Sequence, residues 1–190
     1  MGRAAAEAAL RAIEPWDDVE TTHRADALAW IRGRECIWRL EKPATPPKHL
    51  VAYFLLVDPA AGRCLLVDHR KARLWLPTGG HVEPDEDPAA TVRREAREEL
   101  GIEPPLLDGL ASNPLFVTQT TTVGIDAGHV DVSLWYVCRA DAGVPIDADP
   151  TEFSDARWWD LAALATADPS GLDPHLPRFV AKLTSQLVEP

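Results

Sequence analysis

The sequence predicts an α+β domain carrying a helical extension at its N-terminal side. Three observations predict it. Residues 50–57, Leu-Val-Ala-Tyr-Phe-Leu-Leu-Val, form an apolar run of buried-strand length. Residues 129–138 alternate, with Val130, Val132, Leu134, Tyr136 and Cys138 on one face and His129, Asp131, Ser133, Trp135 and Val137 on the other. Between these runs stand the start and stop signals of a helix: Asp87 suits the N-cap, Pro88 the first helical position, and Gly101 the position just past the end.

The remaining elements follow in order. Residues 4–13 are alanine-rich and helical in character, and Pro15 ends them. A second helix covers 19–32, with Val19, Ala27, Trp30 and Ile31 among its apolar residues and Gly33 as its stop. The proline-rich stretch 43–47 reads as a stiff extended linker, so 1–47 is a helical extension and 48–190 the main domain. Two readings of the extension stay open: a helical pair packed on the domain, or a lid or homodimer-forming element near the substrate. After the first strand, 58–62 is a turn and 64–67 its partner strand. Residues 75–80 lead into the capped helix. Residues 115–122 form a further strand and 156–159 a short one. Asp160 caps a helix to about residue 165, and 176–187 is a closing helix.

Composition narrows the function. With 190 residues and 46% hydrophobic content the chain can bury a core of its own. Its net charge of −11 argues against general binding to nucleic acid or to anionic membranes. No apolar run is long enough to span a bilayer, and the first residues lack the apolar core of a secretory signal. Cys36, Cys64 and Cys138 show no metal-binding spacing and read as free thiols of a cytoplasmic protein.

The chemistry concentrates in the central helix. Glu95, Glu98 and Glu99 sit at i, i+3 and i+4, which puts three carboxylates on one face. Ala89, Val92, Ala96 and Leu100 form an adjacent apolar stripe that docks the helix. Like charges at this spacing repel by roughly 0.2–0.5 kcal/mol per pair. A hard divalent cation, which prefers oxygen ligands, reverses that cost. Arg94 can reach Glu95 and Glu98, Gly79 and Gly80 allow a sharp turn that offers a carbonyl, and Glu86 can brace the loop against the helix.

From Gly80 to Ile102 the fixed residues are Gly80, Glu86, Arg94, Glu95, Glu98, Glu99 and Gly101, with aliphatic Ala96 and Ile102. This matches G-x5-E-x7-R-E-U-x-E-E-x-G-U, where U is aliphatic, and so resembles the Nudix box of the MutT-like hydrolases. The resemblance implies a mixed β-sheet sandwiched between helices. It also implies an enzyme that uses Mg2+ or Mn2+ to cleave a diphosphate linkage in a nucleoside diphosphate derivative, a small nucleotide substrate. It makes Glu95, Glu98 and Glu99 metal ligands together with the Gly79 carbonyl, and Arg94, Gly80 and Glu86 supporting residues. The general base is either Glu95 or, outside the box, Glu152. The extension is not explained by the resemblance.

Substrate choice falls to other residues. Trp75 precedes the glycine loop and could stack on a base or sugar. His129, Asp131 and Trp135 share one strand face and could line the same cleft. His81 lies near the expected metal, but imidazole is not the preferred ligand of Mg2+. No further substrate motif stands out, which leaves a nucleoside triphosphate, cleaved to monophosphate and pyrophosphate, ahead of a nucleotide sugar or ADP-ribose-type substrate. A non-catalytic nucleotide-binding regulatory domain of the same fold would lose box carboxylates, and here all are present. An isopentenyl diphosphate isomerase of the same fold would need an acid-base Cys and Glu pair, yet Cys64 and Cys138 lie inside strands.

Overall fold

The computed structural model describes residues 2–34, 36–42, 44–107, 113–125 and 127–187. Two helices, α1 (Gly2–Ala12) and α2 (Asp18–Gly33), precede the strands β1 (Lys48–Asp58), β2 (Arg63–His69), β3 (Leu74–Leu76) and β4 (Thr78–His81). The helix α3 (Pro88–Leu100) follows, then β5 (Phe116–Thr121), β6 (Val130–Arg139), β7 (Phe153–Asp160), α4 (Leu161–Leu164) and α5 (Leu176–Leu187). No helix among the described residues is long and apolar enough to cross a membrane.

The strands form one mixed sheet. β1 runs antiparallel to β2 and β4 on one edge and parallel to β6 on the other, and β5 closes that side antiparallel to β6. β2 carries β3 and β7. Parallel pairing of β1 with β6 needs a long crossover, and α3 lies within it.

Alternation along the strands sends side chains to two cores. On one face Leu50, Ala52, Phe54, Leu56, Val132, Leu134 and Tyr136 pack with Val92, Ala96 and Leu100 of α3 and with Ala6 and Leu10 of α1. On the other, Leu55, Val57, Cys64, Leu66, Trp135 and Val137 pack with Leu161 and Leu164 of α4 and with Leu176, Phe179, Val180 and Leu183 of α5. The sheet is thus sandwiched between helices, as expected. Cys64 and Cys138 are buried free thiols and Cys36 is half-buried.

The extension shares this core: Ala6, Leu10, Ala27 and Ile31 are fully buried. A buried ion pair ties it down. Lys182 of α5 donates from Nζ to Glu20 Oε1 and Oε2 of α2 at 3.0 and 3.1 Å, with both side chains almost fully enclosed. The same carboxylate accepts from the backbone N–H of Trp16 at 2.6 Å and of Val117 at 3.3 Å. Asp17 caps α2 and receives Arg178 Nε at 2.8 Å. Gly2 abuts the loop before α3, where a Cβ would lie 2.5 Å from the Glu86 carbonyl oxygen. Val19, expected among the apolar residues of α2, faces solvent instead, because Glu20 beside it takes the inward side of the first turn and bonds Val117 of β5.

Candidate active site

The central helix starts and stops where its caps dictate. Asp87 accepts from Ala89 N, Pro88 takes the first turn, and Gly101 adopts the left-handed conformation at φ 64°. Burying Val92, Ala96 and Leu100 turns the carboxylates toward β4. Glu95 is 9% exposed, Glu99 is half-buried, and Glu98 is exposed.

Two glycines make room here, Gly80 for this helix and Gly79 for β1. A Cβ on Gly80 would stand 1.9 Å from Glu95 Oε1, so only glycine lets that carboxylate lie against the strand. At Gly79 φ is +150°, and a Cβ would meet the Ala52 carbonyl oxygen at 2.3 Å. The Gly79 N–H donates to Glu99 Oε2 at 3.2 Å.

Arg94 is the hub. It donates to Glu86 through Nε and Nη2, both at 3.1 Å, to Glu95 Oε1 at 2.7 Å, to Glu98 Oε2 at 3.3 Å and to the His81 carbonyl oxygen at 3.0 Å. Glu86 also accepts from Thr91 Oγ1 at 2.7 Å and from Glu83 N at 3.1 Å. Burial works against its charge, but Arg94, Thr91 and the Glu83 amide outweigh that and hold the Glu86 carboxyl below its usual range. Burial raises Glu95, with Arg94 opposing. Glu99 is pushed up to about 8, first by burial and then by the charge of Glu95. Glu95 and Glu99 therefore face one another's field, and Arg94 is shared among Glu86, Glu95 and Glu98. This oxygen-rich setting, with four carboxylates to one guanidinium, fits a hard divalent cation.

The helix forms one wall of a cavity of about 910 Å3. Glu95, Glu99, Arg94, Gly79 and Gly80 line it, and so do Tyr53, Phe153, Asp173 and Glu152. Arg39, Lys42 and Lys71 also reach it and supply positive charge in an otherwise acidic chain. Glu152 lies 3.6 Å from Lys71 Nζ, and its charge contributes to raising Glu99. Asp173 is pushed up to about 6 by burial and accepts from His175 N at 2.8 Å.

The residues expected to choose substrate divide into two groups. His129 and Asp131 line the cavity. Trp135 shares their strand face but is 1% exposed, packed on Phe116 and Phe179, with Nε1 bonded to Thr118 Oγ1 at 2.9 Å. The strand carries it past the cavity and under α5, which corrects the expectation that it contacts substrate. Trp75 is also absent from the cavity walls: it stacks edge-on against Trp159 and lies under the Arg157 guanidinium.

Sequence reasoning missed His49. It is fully buried on β1, directly opposite Asp131 in the β1–β6 register. Its Nε2 lies 2.9 Å from His81 Nε2 and 3.0 Å from Asp131 Oδ1. His129 Nε2 is 3.4 Å and His81 Nε2 4.0 Å from the same oxygen. Burial, with Arg39 and His49 adding to it, pushes His81 down to about 2, so its ring is neutral. A lone histidine opening an apolar strand gives no signal by itself; only the strand register brings these four groups together.

The NUDIX domain model matches residues 47–183. Among curated proteins, the chain is 30% identical over 168 residues to a protein named isopentenyl-diphosphate Delta-isomerase from Cereibacter sphaeroides, covering 85% of this chain and 89% of that one. Among solved structures, it resembles a NUDIX-family hydrolase from Clostridium perfringens at TM-score 0.54 and 21% identity, covering 73% of this chain and 95% of that one. It likewise resembles the E. coli dihydroneopterin triphosphate pyrophosphohydrolase at TM-score 0.56 and 15% identity, covering 72% and 95%. With the family model spanning most of the chain and the helix-borne carboxylates in place, the protein belongs to the NUDIX domain family and is an enzyme of that family.

Proposed function

We propose that this enzyme hydrolyses a diphosphate linkage in a nucleoside diphosphate derivative, with a nucleoside triphosphate, cleaved to monophosphate and pyrophosphate, as the preferred substrate. The observation that carries this reading is the pair of carboxylates, buried Glu95 and half-buried Glu99, in a cavity that also presents Arg39, Lys42 and Lys71. A volume of about 910 Å3 admits a nucleotide. Glu95, Glu98 and Glu99, with the Gly79 carbonyl, would hold Mg2+ or Mn2+. A bound ion of this kind neutralises phosphate charge and lowers the pKa of water.

The chain's own residues supply the rest. Arg94, itself clamped by Glu86, fixes the orientation of Glu95 and Glu98. The cationic side chains attract the phosphates. Water adds its oxygen to one phosphorus, the bridging P–O bond breaks, and the bridging oxygen leaves with the other fragment. The proton released goes to a carboxylate, and Glu95 and Glu152, both in the cavity wall, are the two candidates.

The isomerase name of the curated relatives motivates a second reading. The cysteines argue against it. Cys64 and Cys138 are fully buried with their thiols pushed up to about 12 by burial, and Cys36 donates to the Trp38 carbonyl oxygen at 3.3 Å. None of the three lines the cavity.

One screen tests both readings. The protein is incubated with Mg2+ or Mn2+ and with nucleoside triphosphates, nucleotide sugars, ADP-ribose and isopentenyl diphosphate, and products are identified by mass. Monophosphate and pyrophosphate from a triphosphate are expected. An isomerised diphosphate with every nucleotide left intact would replace this proposal with the second reading.

A further inference from the structure

We infer that His49, His81, His129 and Asp131 form a second metal site, separate from the glutamate site, that takes a late first-row divalent cation, Zn2+ above all. The four residues offer three Nε2 atoms and Asp131 Oδ1, all within 4.8 Å of one another. A tetrahedral ion with bonds of about 2.0–2.1 Å sets its ligand atoms about 3.3 Å apart. Four of the pairs lie 2.9, 3.0, 3.4 and 4.0 Å apart, on either side of that value.

The hydrogen bonds behind the rings point the same way. His49 Nδ1 lies 3.0 Å from the Pro46 carbonyl oxygen, which can only accept, so Nδ1 carries the proton and a neutral ring leaves Nε2 bare. His129 Nδ1 lies 3.0 Å from Thr122 Oγ1, whose own hydroxyl donates to the His129 carbonyl oxygen at 3.3 Å. With that proton on the carbonyl, Thr122 accepts from His129 Nδ1, and that Nε2 is bare as well. Such outer partners are the usual way a protein orients metal-binding imidazoles.

Asp131 Oδ1 is buried and lacks a hydrogen-bond partner although three imidazoles surround it. With the His49 and His129 protons on Nδ1, four electron-pair donors converge on one point. Unpaired buried acceptors are costly, and one cation satisfies all four. Imidazole nitrogen with a single carboxylate selects zinc-like ions over Mg2+. The two sites adjoin, since His81 follows Gly80 and its carbonyl oxygen accepts from Arg94. His81, His129 and Asp131 open on the cavity.

This inference stands on the strand geometry and does not depend on the hydrolase reading. The test uses the full chain, stripped with chelator and placed in excess Mg2+ to fill the glutamate site. One equivalent of Co2+ is the probe, because four-coordinate Co2+ absorbs visible light far more strongly than six-coordinate Co2+. We expect an intense band that one equivalent of Zn2+ removes. The band should persist in the triple variant Glu95→Gln/Glu98→Gln/Glu99→Gln and vanish in Asp131→Asn and His129→Gln. Zn2+ affinity in those two variants should fall at least ~10-fold. Where a variant does not fold, the spectrum of the unaltered protein still decides. A weak six-coordinate spectrum from that protein overturns the inference. So does Zn2+ binding that is lost in the glutamine triple variant but unchanged in Asp131→Asn.

Discussion

Two polar clusters meet at one cavity, and they are built in opposite ways. The carboxylates Glu95, Glu98 and Glu99 stand on one turn of one helix, the first two held by Arg94, which Glu86 braces from the loop before it, and the third by the Gly79 N–H. The histidine cluster draws His49 from β1, His81 from β4, and His129 and Asp131 from β6 and its approach. A helix face is set by local spacing and stands partly in solvent. A strand cluster is set by register and rests on the core. Damage to the first should therefore appear in turnover, and damage to the strands that carry the second should appear in stability.

Trp135 gives the largest test of that contrast. It is two pairs along β6 from Asp131, on the same face, and wholly enclosed. Trp135→Ala should cost ~3–5 kcal/mol of stability, read from urea denaturation. A stable variant with altered substrate preference would reverse the assignment of Trp135 to the core.

On the helix, Glu98→Gln and Glu99→Gln should each lower kcat by at least ~10²-fold, the scale of losing one preorganised electrostatic group, about 2.7 kcal/mol of activation free energy. Circular dichroism should report an intact fold. Near-normal turnover of Glu98→Gln at saturating Mg2+ would remove it from the ligand set.

Trp75→Ala should have a smaller effect. Its ring is only half-buried, against Trp159 and Arg157. About 1–2 kcal/mol of stability should be lost, less than for a fully enclosed tryptophan, while the ranking of substrates by kcat/KM stays as it was. A changed ranking with unchanged stability would return Trp75 to the cavity.

The smallest effect concerns an ion pair far from both clusters and serves as a control. Arg178, hydrogen-bonded to Asp17, holds that carboxyl below its usual range, with burial opposing. Because the folded value is depressed, the pair's contribution is present above the unfolded pKa of about 3.9 and fades as pH falls through the lower folded value. Asp17→Asn should flatten that part of the acid limb by less than ~1 kcal/mol, since the pair is partly exposed. Thermal melts between pH 5 and 3, where ~3.9 is the unfolded value that matters, would check it, and kcat at neutral pH should not change.

How much was legible in the sequence follows the same division. The capped helix, its carboxylate face and the glycine turn are read from spacing alone, because each depends on contacts within one turn or one loop. The alternation of β6 is legible too, and it separates Asp131 and Trp135 from Val132 and Leu134 correctly. How far along the strand each residue lies from the cavity is not legible, which is why Trp135 looked like a substrate contact. The partnership of His49 with Asp131 depends on parallel pairing across the α3 crossover. No local pattern encodes that pairing, and a histidine at the head of an apolar strand looks the same whether it is a ligand or a core residue.

The Glu20–Lys182 pair gives a practical warning to anyone who would trim this protein. The matched family region runs over 47–183, so a boundary drawn there keeps the lysine and discards its glutamate. The shortened chain would hold an ammonium group inside α5 without its counter-ion, and the surfaces that Leu10 and Ile31 now cover would be wetted. The first two helices behave as part of the wall rather than a porch, and the smallest piece of this chain worth expressing is larger than its recognisable motif.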